Sequence, residues 1–241
     1  MKDTAIEWAD NTINFFVGCT KVSEGCENCY MYRLEKRWGR DPTIVRMTNW
    51  ATIEKNLKTW KPSRIFVNSM SDTFHIDIEH REVVEMFKMM EKYSQHTYIV
   101  LTKRIGRAAM FFKLNEVPDN VWIGTSIESE KHYMRANILK GIQAKVKFIS
   151  FEPLLSNVSR VDLTGIQWVI VGGESGSNSR KMHEADVDAI FSQAQAKGIP
   201  FFFKQWGKGL SKCKCHNAFG CRVYKGKTWD EVPKIESIIS H

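Results

Sequence analysis

Long apolar runs are absent from this sequence of 241 residues. No stretch of about 18 apolar residues occurs, which argues against a transmembrane helix. The first residues, MKDTAIEWADN, are polar and acidic and lack the apolar segment of a signal peptide. We therefore expect a cytoplasmic protein without a membrane partner. In that compartment stable disulfides are disfavoured, and clustered cysteines more often bind metal or carry out redox chemistry.

Low-complexity segments, flexible linkers and runs of like charge are also missing. The sequence has no Ser–His–Asp order, no phosphate-binding P-loop and no His-Glu-x-x-His pattern, so the common signatures of hydrolases, nucleotide-binding proteins and zinc proteases are absent. Lysine and arginine total 35 against 27 aspartate and glutamate, a net charge of +8. This excess favours a polyanionic partner such as nucleic acid, although solubility alone would explain it equally well.

Short apolar segments alternate with amphipathic segments along most of the chain. The alternation gives about seven strand-then-helix units, and strands that are apolar almost throughout are typical of a parallel sheet buried on both faces. The predicted strands cover residues 14–17, 64–70, 97–103, 120–127, 145–151, 167–173 and 200–204. The predicted helices cover residues 28–39, 78–93, 104–113, 129–140 and 184–197.

Polar residues follow almost every predicted strand. In a (β/α) barrel the carboxyl ends of all strands form one rim, whereas an open doubly wound sheet concentrates its ligands at one switch point. The distribution therefore favours an α/β fold with a partial or complete barrel over residues 1–206, followed by a small basic, cysteine-containing extension over residues 207–241. A helix cap is the alternative role for any one of these polar residues.

Three of the six cysteines lie close together near the amino terminus. Six residues separate Cys19 from Cys26, two separate Cys26 from Cys29, and the next cysteine is Cys213. Three thiolates on a four-iron cluster would leave one iron without a protein ligand. Zinc would need a fourth ligand from elsewhere, because no histidine is nearby. The remaining alternative is three reduced thiols without metal. We predict a 4Fe-4S cluster here.

A second group of potential metal ligands lies in the extension. The segment KCKCHNAFGC contains Cys213, Cys215, His216 and Cys221 within nine residues. Three thiols and an imidazole could form a tetrahedral zinc site. A second cluster, a ligand to the first cluster and a basic surface loop with reduced thiols are the alternatives. Basic and aromatic residues are interleaved around this segment, as in surfaces that bind nucleic acid.

Several segments resemble a family of phage and prophage proteins that is named for a three-cysteine motif and grouped with the radical S-adenosylmethionine (SAM)-like barrels. The matching segments span residues 6 to 233, nearly the whole chain. They read IEWADNTINFFVGCTKVSEGCENCY, RIFVNSMSDTFH, QHTYIVLTKR, NVWIGTSIE, FISFEPLL, WVIVGGESG, PFFFKQWG and GKTWDEVP. The resemblance implies a cluster-binding barrel and does not specify a reaction.

Radical SAM enzymes bind SAM at the open iron of their cluster and cleave it reductively to a 5′-deoxyadenosyl radical. The commonest motif of those enzymes has three residues between the first two cysteines, whereas this chain has six. The resemblance implies that Ser69, Ser71 and Asp72 meet the SAM amino group. Other polar residues after the strands would contact the rest of SAM, and these are Lys103, Arg104, Ser126, Glu128 and Glu174.

Two kinds of function follow from these features. The first is a radical SAM-like enzyme that modifies a nucleic acid or a nucleotide, with its catalytic residues unassigned. The second is a non-catalytic protein, stabilised by a metal or a cluster, that binds nucleic acid or acts only with a partner protein of the phage. Release of 5′-deoxyadenosine from SAM would distinguish the first from the second.

Overall fold

The computed structural model describes residues 4, 6–176, 178–207 and 221–234. The strands are β1 (Asn11–Ile13), β2 (Phe16–Val17), β3 (Arg46–Met47), β4 (Arg64–Val67), β5 (Thr97–Thr102), β6 (Val121–Ser126), β7 (Val146–Phe151), β8 (Trp168–Gly172), β9 (Phe201–Gln205), β10 (Val223–Tyr224) and β11 (Lys227–Thr228). The α-helices are α1 (Tyr30–Arg37), α2 (Trp50–Thr59), α3 (His80–Lys92), α4 (Ile105–Phe111), α5 (Met134–Lys140) and α6 (Glu184–Ala196).

Seven strands form one parallel sheet in the order β1-β4-β5-β6-β7-β8-β9, which curves into a half-barrel. Helices connect most neighbouring strands, as parallel pairing requires. The main sheet thus confirms the predicted α/β class with a partial barrel. Among the described residues β1 and β9 are its two edges. The strand carboxyl ends all lie at the same end of this half-barrel.

Alternate residues of each strand supply two separate cores. On the outer face, strand residues such as Ile65, Val100 and Ile123 pack with helix residues such as Met86 and Leu139. The other face carries an aromatic cluster that is closed by Trp8. The strand members of this inner cluster are Phe66, Ile99, Trp122, Val146, Phe148, Trp168, Ile170 and Phe202. Burial on both faces explains why the strand sequences are apolar almost throughout.

The prediction for residues 14–17 was wrong. The edge strand is Asn11–Ile13, and Phe16–Val17 instead pairs antiparallel with Arg46–Met47. Buried apolar residues at 13, 15 and 16 lie so close together that they resemble one strand, although Ile13 and Phe16 belong to two sheets. Helix α2 was not predicted. The short strands β3, β10 and β11 were not predicted either, and the remaining strands and helices lie within about five residues of the predicted bounds.

The described part of the carboxyl-terminal extension packs against β9. The N–H of Phe203 donates to the carbonyl of Trp229 over 2.8 Å, and Trp206 Nε1 donates to the carbonyl of Val223 over 2.9 Å. Tyr224 and Trp229 are buried in the outer core. None of the helices in the described part of the chain is long and apolar enough to cross a membrane.

Candidate metal centre

The three amino-terminal cysteines lie on a loop that crosses the carboxyl ends of the sheet. Cys26 closes a short 3-10 helix, and Cys29 is the residue immediately before α1. The loop begins at Gly18, where φ is +100° and a Cβ would lie 2.1 Å from the carbonyl oxygen of Ile44. Only glycine fits this position, because it combines a left-handed backbone with a close backbone contact. Gly18, the first residue of the loop, therefore fixes the direction in which the loop leaves the sheet.

The loop following β4 holds this first turn. The hydroxyl of Ser71 donates to the carbonyl of Gly18 over 2.7 Å, and the N–H of Gly18 donates to the carbonyl of Met70 over 3.0 Å. The hydroxyl of Tyr30, at the start of α1, donates to the carbonyl of Ser69 over 2.5 Å. Ser69 and Ser71 were predicted to bind SAM, and the structure places both against the cysteine loop.

Arg104 connects the end of β5 to the first cysteine. Its Nη1 lies 3.5 Å from Cys19 Sγ and 3.4 Å from an oxygen of Asp72, and its Nη2 donates to the carbonyl of Thr20 over 2.9 Å. Burial and the nearby Asp72 raise the pKa of Cys19 to about 11, although Arg104 opposes the shift. The metal-free loop therefore carries a neutral thiol at this position.

Asp72 is buried, and its carboxylate is fully used in hydrogen bonds within the protein. Its two oxygens accept from the hydroxyl of Thr102 at 2.7 Å, the N–H of Phe74 at 3.0 Å and the N–H of Lys103 at 3.1 Å. Together with the contact to Arg104, these bonds occupy both carboxylate oxygens. Asp72 joins the ends of β4 and β5 and fixes the side chain that reaches Cys19.

Cys29 lies at the amino-terminal end of α1. The backbone N–H groups of Met31 and Tyr32 and the ammonium group of Lys103 all favour the thiolate form of Cys29. Burial outweighs these effects and raises the pKa of Cys29. Cys26 interacts electrostatically with both Cys19 and Cys29. All three thiols are free.

Glu128 ties the middle of the loop to the end of β6. This fully buried carboxylate contacts Lys103 Nζ at 2.7 Å, Arg135 Nη1 at 2.8 Å and the hydroxyl of Ser23 at 2.7 Å. Burial acts to raise the pKa of Glu128, but the two cations and the hydrogen bonds outweigh it, and the pKa lies below its usual range. Gly25 allows the contact, because a Cβ there would lie 2.5 Å from Glu128 Cγ.

Glu174 ties the last part of the loop to the end of β8. One of its oxygens accepts from Asn28 Nδ2 over 3.0 Å, and the carboxylate forms an ion pair with Arg180 at 2.5 Å. Arg180 continues to the loop itself, where it donates to the carbonyl of Glu24 over 2.8 Å and contacts Glu27 at 3.0 Å. The turn after β8 thus clamps the segment that carries Cys26 and Cys29.

The eight polar residues predicted for cofactor binding are thereby brought to one rim. Seven of them support the cysteine loop directly or through one partner, and Ser126 is buried beneath it with its carbonyl bonded to Arg135. Only Lys103 among the charged members keeps about 20% of its side chain exposed. In this state of the molecule most of the rim carboxylates and cations are bound to each other or to the loop.

Sequence reasoning missed two arginines that hold the loop. Arg135 and Arg180 were not singled out, since nothing marks an arginine as the partner of a particular carboxylate. His75 is fully buried, and its Nε2 lies 3.1 Å from the N–H of Thr20. A second rim pair joins Lys204 Nζ to Glu152 at 2.9 Å.

The donor chemistry of the loop fits a cluster better than a single ion. In the described part of the chain, no three His, Cys, Asp or Glu side chains converge as ligands of one metal ion. In a four-iron cluster each cysteine binds a different iron, so the ligand sulfurs lie farther apart than they do around one ion. Three free thiols lie on one loop with Arg104 and Lys103 beside them, and thiols of this kind are the ligands that iron–sulfur clusters take from proteins.

The second predicted metal group is only partly described. Cys213, Cys215 and His216 lie outside the described residues. Cys221 is buried beside β9 and takes part in a disulfide bond. The expected zinc or second cluster at these residues stays a prediction.

A family model described as "Protein of unknown function (DUF5131)" matches residues 3–233 of the chain. No curated protein and no solved structure matches the chain.

Proposed function

We propose that this chain, which belongs to the DUF5131 family of proteins of unknown function, binds a 4Fe-4S cluster through Cys19, Cys26 and Cys29. One observation carries the proposal: a loop with three free thiols is clamped across the carboxyl ends of a parallel half-barrel. Catalytic and binding sites of β/α barrels occupy this end of the sheet. The resemblance to the phage three-cysteine family, noted from the sequence, adds independent support.

The residues around the loop suit thiolate ligands. Since burial raises the pKa of both Cys19 and Cys29, the metal-free loop holds neutral thiols, and loading releases their protons. Arg104 and Lys103 then offset the negative charge of the ligands. The carboxylate of Glu128 is neutralised by its two cationic partners, whereas Asp72, although paired with Arg104, still opposes a thiolate at Cys19.

We also propose that SAM binds at the loaded site. When bound, the cluster offers an open iron for the amino and carboxylate groups of SAM and, once reduced, the electron that cleaves its sulfonium. The chain itself would bind and orient SAM with groups that retain exposure at the rim. Lys103 is about one-fifth exposed and Lys204 about one-quarter exposed. The ammonium group of either lysine can contact the carboxylate group of SAM.

Anaerobic reconstitution tests the cluster. The expected product is a brown protein with about four irons and four sulfides per chain. Cys19→Ala, Cys26→Ala and Cys29→Ala should each lose the colour. The matched control, Cys213→Ala with Cys215→Ala, should keep it. Equal iron content in all of these variants, or one zinc without sulfide in the wild-type protein, would refute the cluster.

SAM binding is tested on the reconstituted protein. Equilibrium dialysis should show one SAM per loaded chain and none for Cys26→Ala. Addition of a strong reductant should release 5′-deoxyadenosine. Cluster formation without either result would favour the non-catalytic alternative, in which the cluster stabilises the fold.

A further inference from the structure

The exposed face of α1 carries an unusual concentration of positive charge. Arg33, Lys36, Arg37 and Arg40 are all exposed and lie within eight residues. The one acidic residue between them, Glu35, is fully buried and paired with Arg46. None of the four exposed cations forms an ion pair with a described carboxylate.

Lys55 and Lys58 on α2 also lack a described partner, but the α1 segment brings four such cations together within eight residues. Arg46, Arg135, Arg180 and Lys204 all pair with carboxylates, as do most other described cations near the rim. Asp41 follows the basic segment, but its carboxylate accepts from the N–H and hydroxyl of Thr43 within its own turn. Asp41 offsets part of the charge of Lys36, and the remaining exposed cations leave a net positive field toward solvent.

An aromatic ring is exposed at the end of the same helix. Trp38 is the residue that follows α1, and 54% of it is accessible. The guanidinium of Arg40 lies over its ring, 5.7 Å from the centroid. An exposed indole beside several cations is the combination that binds unpaired bases and the phosphates between them.

The helix is also placed beside the candidate metal centre. Its first residue follows Cys29, and the guanidinium of Arg33 lies about 3.5 Å from the Cβ position of Gly176 in the turn after β8. A strand of nucleic acid bound along α1 would therefore pass the mouth of the half-barrel. A base that undergoes chemistry must leave the duplex stack or be single-stranded already.

We infer that the basic face of α1, with Trp38 at its end, is a binding surface for single-stranded nucleic acid. The inference rests on the proposed function only in naming the substrate class of that site. An anionic membrane would be the other polyanionic partner. A membrane-surface helix presents a broad apolar face, whereas Met31 and Glu35 of α1 face the protein interior and are buried.

Fluorescence anisotropy with a labelled oligothymidylate of about 20 nucleotides, longer than usual site sizes, tests the surface. Affinity should fall with salt. Lys36→Glu with Arg37→Glu should weaken binding at least tenfold and reduce the salt slope by about 0.7 for each lost phosphate contact. Trp38→Ala should weaken binding about tenfold with an unchanged salt slope, since stacking is not ionic.

The matched control is Lys55→Glu with Lys58→Glu on α2. These two lysines are also exposed and unpaired with a described carboxylate, and the charge change is identical. The control should change affinity less than twofold. Equal losses of affinity in the two double variants would show that the oligonucleotide responds to net charge alone. That result would overturn the assignment of the binding surface to α1. Duplex DNA that binds as tightly as the single strand, with no effect of Trp38→Ala, would overturn it as well.

Two further arms separate the remaining outcomes. Vesicles of phosphatidylcholine with phosphatidylserine should not bind; vesicle binding that the α1 variant abolishes, without oligonucleotide binding, would assign the face to a membrane. Each titration is run on reconstituted and on iron-free protein. Oligonucleotide binding by a chain that never takes up iron would leave the surface standing and remove the cluster. A chain that takes up iron but binds no oligonucleotide would overturn the binding surface and leave the cluster standing.

Discussion

Nη1 of Arg104 lies 3.5 Å from the sulfur of Cys19. The two residues are 85 positions apart in the chain, and their contact joins the end of β5 to the first cysteine of the loop. The same guanidinium also bonds Thr20 and Asp72. Arg104 therefore positions Cys19 and supplies a positive charge next to a candidate thiolate ligand.

Replacement of Arg104 should weaken iron binding. Arg104→Gln removes the charge and should lower cluster affinity about tenfold, as changes to groups that orient metal ligands commonly do. Arg104→Lys keeps the charge but cannot reach Cys19, Thr20 and Asp72 together, so an intermediate loss is expected. Iron retained against increasing chelator measures the effect. Wild-type retention in Arg104→Gln would show that the contact is incidental.

Gly18 and Gly39 form a matched pair for testing the loop. Both have positive φ, +100° and +67°, but only Gly18 has backbone atoms where a Cβ would be. Gly39→Ala should cost about 1 kcal/mol of unfolding free energy from strain alone. Gly18→Ala should cost about 3 kcal/mol or more, because the carbonyl of Ile44 must also move. Urea unfolding measures both, and similar costs would contradict the close contact.

The ion pairs of Glu128 should make stability depend on pH. Glu128→Gln leaves Lys103 and Arg135 without their buried partner and should cost about 3 kcal/mol at pH 7. The pKa of Glu128 is lowered in the folded protein from an ordinary 4.5. Its stabilisation is therefore complete above about pH 4.5 and lost as pH falls through the lower folded value.

The difference between wild type and Glu128→Gln should accordingly shrink below pH 4.5. Urea unfolding at pH 7 and at successively lower pH measures it. Glu85→Gln breaks an exposed pair with Lys88 and should change stability by less than about 0.5 kcal/mol at any pH. A difference that stays constant with pH would contradict an ionised Glu128 at this junction.

Lys204 and Glu152 should show strong coupling in a double-mutant cycle. Their side chains are only about 26% and 14% exposed, and Glu152 outweighs burial to raise the pKa of Lys204. Lys204→Met and Glu152→Gln should each cost about 2 kcal/mol, and the double variant should cost clearly less than their sum. Thermal or urea unfolding of the four proteins measures the coupling. Additive costs would show that water already screens the pair.

The sheet could be predicted from the sequence because its signal is local. Ile65, Val100 and Ile149 belong to apolar segments that are buried on both faces, so strand after strand is apolar throughout. The first strand could not be predicted in the same way. Ile13, Phe15, Phe16 and Val17 are apolar with only Asn14 between them, but the chain turns between Ile13 and Phe16 to enter a different sheet.

The candidate site could be located but its interactions could not be predicted. Glu174 and Asp72 were expected at the rim because each follows a strand. Nothing in the sequence indicates that Glu174 meets Asn28, which lies 146 residues earlier, or that Asp72 orients Arg104. These pairs depend on which strand ends are neighbours. Residues expected to contact a cofactor also hold the loop, a role that the sequence did not indicate.

By itself the sequence determined the alternation of apolar strands and amphipathic helices, and it placed three thiols within eleven residues near the amino terminus. Periodicity and spacing are properties of neighbouring residues, so they are legible without a structure. The tertiary structure decided that the half-barrel stays open between β1 and β9 and that the cysteine loop is clamped by Arg104, Glu128 and Glu174. Those outcomes follow from the order of strands in the sheet, which brings together side chains that the chain keeps far apart.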